Sequence, residues 1–164
     1  MLLRKRAWDI MREDYPVVKE SEGLMGVMKA LHEHLKDKPH CPAVAILDEQ
    51  GHAKGLVTMR GLLHYVRENL KGREALKSLD HGGFENVLED SCQTFVAAKL
   101  AGIMEEKVLK VGPEEPLVLL VADFVKHEQD AALVIEGERL IGMVLLTDLY
   151  QEVSQSVFED CYPD

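Results

Sequence analysis

A chain of 164 residues with 46% hydrophobic and 29% charged residues is sized for one compact domain or two small, closely packed repeats. Its net charge of −10 argues against binding a nucleic-acid backbone, which needs clustered lysine and arginine; the one basic cluster, Arg4-Lys5-Arg6, has no apolar stretch of signal length behind it. The longest apolar runs, near residues 117–122 and 140–146, are too short to span a membrane, and the scattered Cys41, Cys92 and Cys161 fit reduced thiols in a cytoplasm.

Residues 7–11 suit a short helical turn closed by Tyr15-Pro16, and Val17-Val18-Lys19 a short extended piece. Ser21 is the candidate N-cap of a helix running to about Lys36, because Leu24, Val27, Met28, Leu31 and Leu35 recur at helical spacing. An irregular loop at 38–42 leads to a predicted β-hairpin: the apolar run 43–48, the turn Glu49-Gln50-Gly51, and Gly55-Leu56-Val57-Thr58. A helix over about 60–70 follows. In the connecting stretch, Gly72 breaks that helix and His81-Gly82-Gly83 reads as a loop. Phe84, Val87, Leu88, Cys92, Phe95 and Val96 then predict an amphipathic helix.

Residues 108–111 are again extended, and Pro116 behind Glu114 and Glu115 marks a helix start. That helix, 117–127, carries Leu117, Leu120, Val121, Phe124 and Val125 on one face and Val118, Leu119 and Ala122 elsewhere. A helix apolar nearly all round is expected to be buried on two sides, by its own sheet and by a sister repeat or another subunit. A second hairpin, 131–135 and 140–146 around Glu136-Gly137-Glu138, ends at Thr147-Asp148, which opens a helix with Leu149, Tyr150 and Val153.

The order of these elements repeats. Ile10-Met11 and Ile103-Met104 lie 93 residues apart, while the hairpin glycines Gly55 and Gly142 lie 87 apart. The chain therefore reads as an internal duplication, with about six extra residues in the first copy between helix and hairpin. The expected units are residues 7–70, a connecting segment 71–100, and residues 101–155.

The run Asp9-Ile10-Met11, then His127-x-x-Asp130-Ala131-Ala132-Leu133-Val134-Ile135, then Gly142-Met143-Val144 with Asp148-Leu149, resembles the CBS domain, named after cystathionine β-synthase. The likeness covers residues 7–66 and 101–153. It implies an α/β fold of two tandem βαββα repeats about a pseudo-twofold axis, commonly joined into a disc-like homodimer. It also implies an energy-sensing, regulatory module rather than an enzyme. Such a module binds AMP, ADP, ATP or S-adenosylmethionine in a cleft between repeats and acts on a separate partner protein.

The family's ligand motif runs Gly, two apolar residues, Ser or Thr, two more residues, then Asp. There the Asp takes the ribose hydroxyls and the Ser or Thr contacts phosphate at a helix start. The first copy keeps Thr58 but has Gly61 in place of the Asp; the second keeps Asp148 but has Leu145 in place of the Thr. The resemblance nominates Asp148 with Thr147 as one site, lined by Lys107, Val108 and Lys110, and Thr58 with Arg60 as the other. With Leu145 in place, adenosine and AMP are expected to bind nearly as well as ATP. Each nominee also has a plain reading: Thr147-Asp148 and Thr58 suit any helix N-terminus, and Arg60 suits a solvated surface.

His32 and His34 are two apart on a helix and point to different faces, and no Cys/His pair has zinc spacing, so no metal is expected. No G-x-S-x-G or comparable nucleophile–base element is present. The alternative function is a ligand-free, dimerising interaction module with degenerate sites.

Overall fold

The computed structural model describes residues 4–70 and 81–162. In chain order these form α1 (Ala7–Ile10), β1 (Val17–Lys19), α2 (Gly23–Asp37), β2 (Ala43–Leu47), β3 (Ala53–Thr58) and α3 (Met59–Asn69). Next come α4 (His81–Ala97), β4 (Lys110–Val111), α5 (Leu117–His127), β5 (Ala131–Glu136), β6 (Arg139–Leu145) and α6 (Leu146–Cys161). Short 3₁₀ turns occupy Glu20–Glu22 and Leu100–Gly102.

The duplication is visible in the sheets. β1 runs parallel to β2, and β2 pairs antiparallel with β3; β4, β5 and β6 repeat that arrangement. Each hairpin even carries a register shift, between Ile46 and Leu47 in one and Val134 and Ile135 in the other. The central strands are buried on both faces, so Ala43 to Ile46 and Ala131 to Val134 show continuous burial. Strand alternation sorts their side chains into separate cores. Val44, Ile46 and Val57 join Leu24, Val27 and Leu31 of α2. Ala132, Val134 and Val144 join Leu117, Leu120 and Phe124 of α5. The opposite faces contribute Ala43, Ala45, Leu56, Ala131, Leu133, Met143 and Leu145 to a core shared by both repeats. Small side chains on that inner face let the two sheets approach.

Three details differ from the sequence expectation. Ser21 lies in the 3₁₀ turn rather than capping α2, whose first residue is Gly23. The Leu24 N–H instead donates to the Ala98 carbonyl at 3.4 Å, so the end of the connecting segment supplies the acceptor. His81, Gly82 and Gly83 form the first turn of α4 and not a loop. Packing of α4 on α2 and α3 outweighs the glycines' poor helix propensity, with Val87 and Phe95 buried and Phe95 set 6.3 Å from the Tyr65 ring. Gly72 and the Phe84 side chain lie outside the described residues. Finally, α5 buries Leu117, Leu120 and Phe124, yet Val125, expected on that same face, is 73% exposed at the helix's end, and Val118 and Leu119 of the second face are exposed as well. The sister repeat does not cover that second face.

The cysteines are free, Cys41 buried and Cys92 and Cys161 exposed. Among the described residues, no helix is long and apolar enough to cross a membrane.

Candidate ligand clefts

The chain segments that precede each repeat's first strand cross over to the other repeat. Arg12 bridges Met143 of β6: the Arg12 N–H donates to the Met143 carbonyl at 2.8 Å, and the Met143 N–H donates back at 3.0 Å. Glu105 bridges Leu56 of β3 in the same way, at 2.8 and 3.1 Å. The repeated landmarks are thus partners across the pseudo-twofold. Met11 lies over Gly142, where an added Cβ would meet its sulfur at 2.5 Å, and Met104 and Glu105 lie over Gly55. At Gly55 the crossing atom is the Glu105 backbone carbonyl, which leaves no room for a side chain, whereas at Gly142 it is the flexible Met11 side chain.

The crossing builds two clefts. In the first, Asp148 sits in the first turn of α6, where the helix start favours a carboxylate. Arg12 grips it in a bidentate pair, Nε donating to Oδ2 at 2.6 Å and Nη2 to Oδ1 at 2.7 Å. The Asp148 hydrogen bond raises the Arg12 pKa above its ordinary value, more than burial lowers it. Both side chains are partly shielded, at 31% and 15% exposure. Asp9, Ile10, Gln151 and Glu152 complete a cavity of about 160 Å³, and Glu152 pairs with Lys5. Arg12 also lines an adjoining cavity of about 510 Å³, with Glu13, Asp14 and residues 37–40. Beside them, burial pushes the Cys41 thiol up, so it stays protonated.

In the second cleft, Thr58 Oγ1 accepts the Gly61 N–H at 2.9 Å, capping α3. Here the plain reading of Thr58 describes its contact. Thr58→Ala is expected to lower stability by about 1 kcal/mol in urea denaturation, as for other caps; an unchanged midpoint would show that the bond contributes nothing. Arg60 is exposed and shares a cavity of about 120 Å³ with Glu105, Glu128 and Asp130. Three carboxylates around one arginine make this cleft acidic.

The other nominees are not beside Asp148. Lys107 lines a shallow cavity with Met104, Glu105 and Glu106. Val108 packs at the edge of the shared core, and Lys110 Nζ donates to the Ala53 carbonyl at 3.2 Å. Because the segments cross, it is the stretch before the first repeat's first strand that reaches Asp148, not the stretch before the second repeat's. Thr147 is exposed on α6, whose N-cap, Leu145, offers no side-chain bond; the Leu146 N–H donates instead to Asp130 O. Sequence reading missed Arg12. Aligning the copies could have found it, because Arg12 matches Glu105 just as Asp148 matches Gly61, so one cleft receives both charges of a pair, one from each copy, and the matching positions of the other cleft are Glu105 and Gly61.

Among solved structures, the CBS domain of a CBS-domain-containing membrane protein from Sphaerobacter thermophilus matches with a TM-score of 0.67 and 19% identity, over 92% of this chain and 88% of that one. The CBS domain pair of protein MJ0100, in complex with 5′-methylthioadenosine and S-adenosyl-L-methionine, matches at 0.64 and 16%, over 93% and 98%. The cytosolic domain of the Mg²⁺ channel MgtE, in complex with ATP, matches at 0.64 and 19%, over 90% of this chain and 48% of that one. No curated protein sequence matches. The CBS-domain sequence profile matches residues 7–68 and 100–155, the segments that fold into the two three-stranded repeats. With both halves matched over most of its length, the chain belongs to the CBS domain family, as a tandem pair.

Proposed function

We propose that this chain is a regulatory CBS pair that takes an adenosine-containing ligand in the Asp148 cleft and modulates a separate partner protein. The observation that carries this reading is a partly shielded carboxylate in the first turn of α6, next to a guanidinium and opening on a larger cavity. A carboxylate so placed can accept both ribose hydroxyls. The second cleft lacks that carboxylate and is lined by acids, which disfavours a nucleotide there. Neighbours of the same fold in complex with 5′-methylthioadenosine, S-adenosyl-L-methionine and ATP support the ligand class.

Calorimetry with AMP and 2′,3′-dideoxy-AMP tests the site. The wild type is expected to prefer AMP by 1.5–3 kcal/mol, about tenfold to a hundredfold, the worth of a charge-assisted hydrogen bond. Asp148→Ala should erase that preference. A preference that survives the substitution would place the ribose elsewhere. No heat with any adenosine ligand at millimolar concentration favours the second reading, an interaction module without ligand. That reading draws on the fact that both Asp148 oxygens already have a partner.

The partner that fits the uncovered apolar surface is a second copy. Val118, Leu119 and Val125 of α5 are exposed, as are Leu146, Tyr150, Val157 and Phe158 of the adjacent α6, and a closed twofold dimer buries such a face against itself. Light scattering is expected to give twice the 18.4 kDa chain mass at micromolar concentration. A monomer there would remove the dimer.

A further inference from the structure

The Arg12–Asp148 pair does more than decorate the cleft. Arg12 occupies both oxygens of the carboxylate assigned to the ribose, at 2.6 and 2.7 Å. It is also the residue common to the 160 Å³ cavity at Asp148 and the 510 Å³ cavity beside residues 37–40. Arg12 thus borders both. The backbone of Arg12 is fixed by its two hydrogen bonds to Met143, so the guanidinium can swing while the residue stays in place. The matching position over the other cleft is Glu105, an acid where this cleft has an arginine, and the position matching Asp148 is Gly61, which carries no carboxylate.

We propose that Arg12 is a latch which selects for phosphate: a nucleotide draws the guanidinium off Asp148 onto its own phosphate, freeing the carboxylate for the ribose and joining the two cavities. This rests on the reading that Asp148 holds the ribose. A guanidinium binds phosphate as it binds carboxylate, by two parallel N–H···O bonds, so the exchange conserves its hydrogen bonds. A neutral nucleoside offers no replacement. It must separate a partly buried ion pair and leave a cation without a counter-charge. Lys38, in the larger cavity, pairs with Asp14, whereas Arg12 is the cation on Asp148, so its exchange is the one that frees the ribose carboxylate. The latch thus restores, by charge, the phosphate preference that Leu145 removes from the helix start, and it replaces the parity of adenosine and AMP expected from Leu145 alone.

The test is calorimetric titration of AMP and adenosine into the full chain, as wild type, Arg12→Ala and Arg12→Gln, with circular dichroism confirming the fold of each. Wild type is expected to favour AMP over adenosine by at least about tenfold, the worth of one charge-assisted bond. Both variants should bind adenosine about tenfold more tightly than wild type and lose the preference for AMP. The glutamine variant keeps most of the side-chain bulk, so it covers the case in which alanine unsettles the fold. A purely structural role would shift both ligands together and leave their ratio unchanged; that result overturns the latch while the ligand reading stands. Tight adenosine binding by a variant, with no AMP binding by wild type, also overturns it, since the arginine would then block without exchanging. Silence of wild type and both variants toward every adenosine ligand overturns the ligand reading and the latch together.

Discussion

Gly55→Ala is expected to destabilise the protein by about 3 kcal/mol, the upper part of the range for overpacking a tight interior. The added Cβ would sit 2.4 Å from the Glu105 carbonyl oxygen and 2.9 Å from Met104 Cγ. The first neighbour is backbone and cannot rotate away. Relief requires parting Glu105 from Leu56, which breaks the two hydrogen bonds that pin the second repeat's leading segment onto β3. Gly142→Ala is the milder counterpart, because its close neighbours at 2.5 and 2.9 Å are the Sδ and Cγ of Met11, an adaptable side chain. Gly112 has open space and an ordinary backbone, so Gly112→Ala should be neutral or slightly stabilising. Urea denaturation ranks the three. A Gly55→Ala variant as stable as Gly112→Ala would mean the crossing segment is not held as described.

The same crossing marks the limit of what the sequence displays. Each hairpin is a local object, with apolar runs flanking Gly51 and Gly137 at positive φ, so both were legible from residue order alone. Helix α5 was legible to the residue, because Pro116 and the recurrence of Leu117, Leu120 and Phe124 fix its start and its face. The duplication of Ile-Met and Gly was visible as well. That each Ile-Met pair belongs over the other copy's glycine was not, since a repeat spacing says which residues correspond and nothing about which touch. The resemblance places Lys107 and Lys110 beside Asp148, whereas the crossing brings Arg12 there and sends Lys110 to Ala53. The central strands hid their facing for a different reason: a strand buried on both sides has no polar side to mark its pleat. Only the alternation of small and branched residues, Ala43-Val44-Ala45-Ile46, hints at which face meets the sister sheet.

The shared core that this alternation creates sets the second large effect. Leu133→Ala is expected to lower the unfolding free energy by about 4 kcal/mol, toward the top of the range for leucine truncation. Leu133 is fully buried, and its neighbours in the shared core include Ala43, Ala45 and Ala131, side chains too short to reach into the space it would leave. Collapse would have to come from the backbone. Yet β5 is hydrogen-bonded on both edges, to β4 and β6, and the facing β2 is held between β1 and β3. Two sheets locked in this way keep the cavity open, and the penalty grows with the volume that stays empty. Because the lost contacts join the repeats, the variant also asks whether they unfold as one. The expected result is a single transition with a lower urea midpoint and an unchanged slope, since the same surface is exposed in one step. Two transitions, or a clearly smaller slope, would show that each repeat stands on its own core of Val44 and Ile46 or Val134 and Val144.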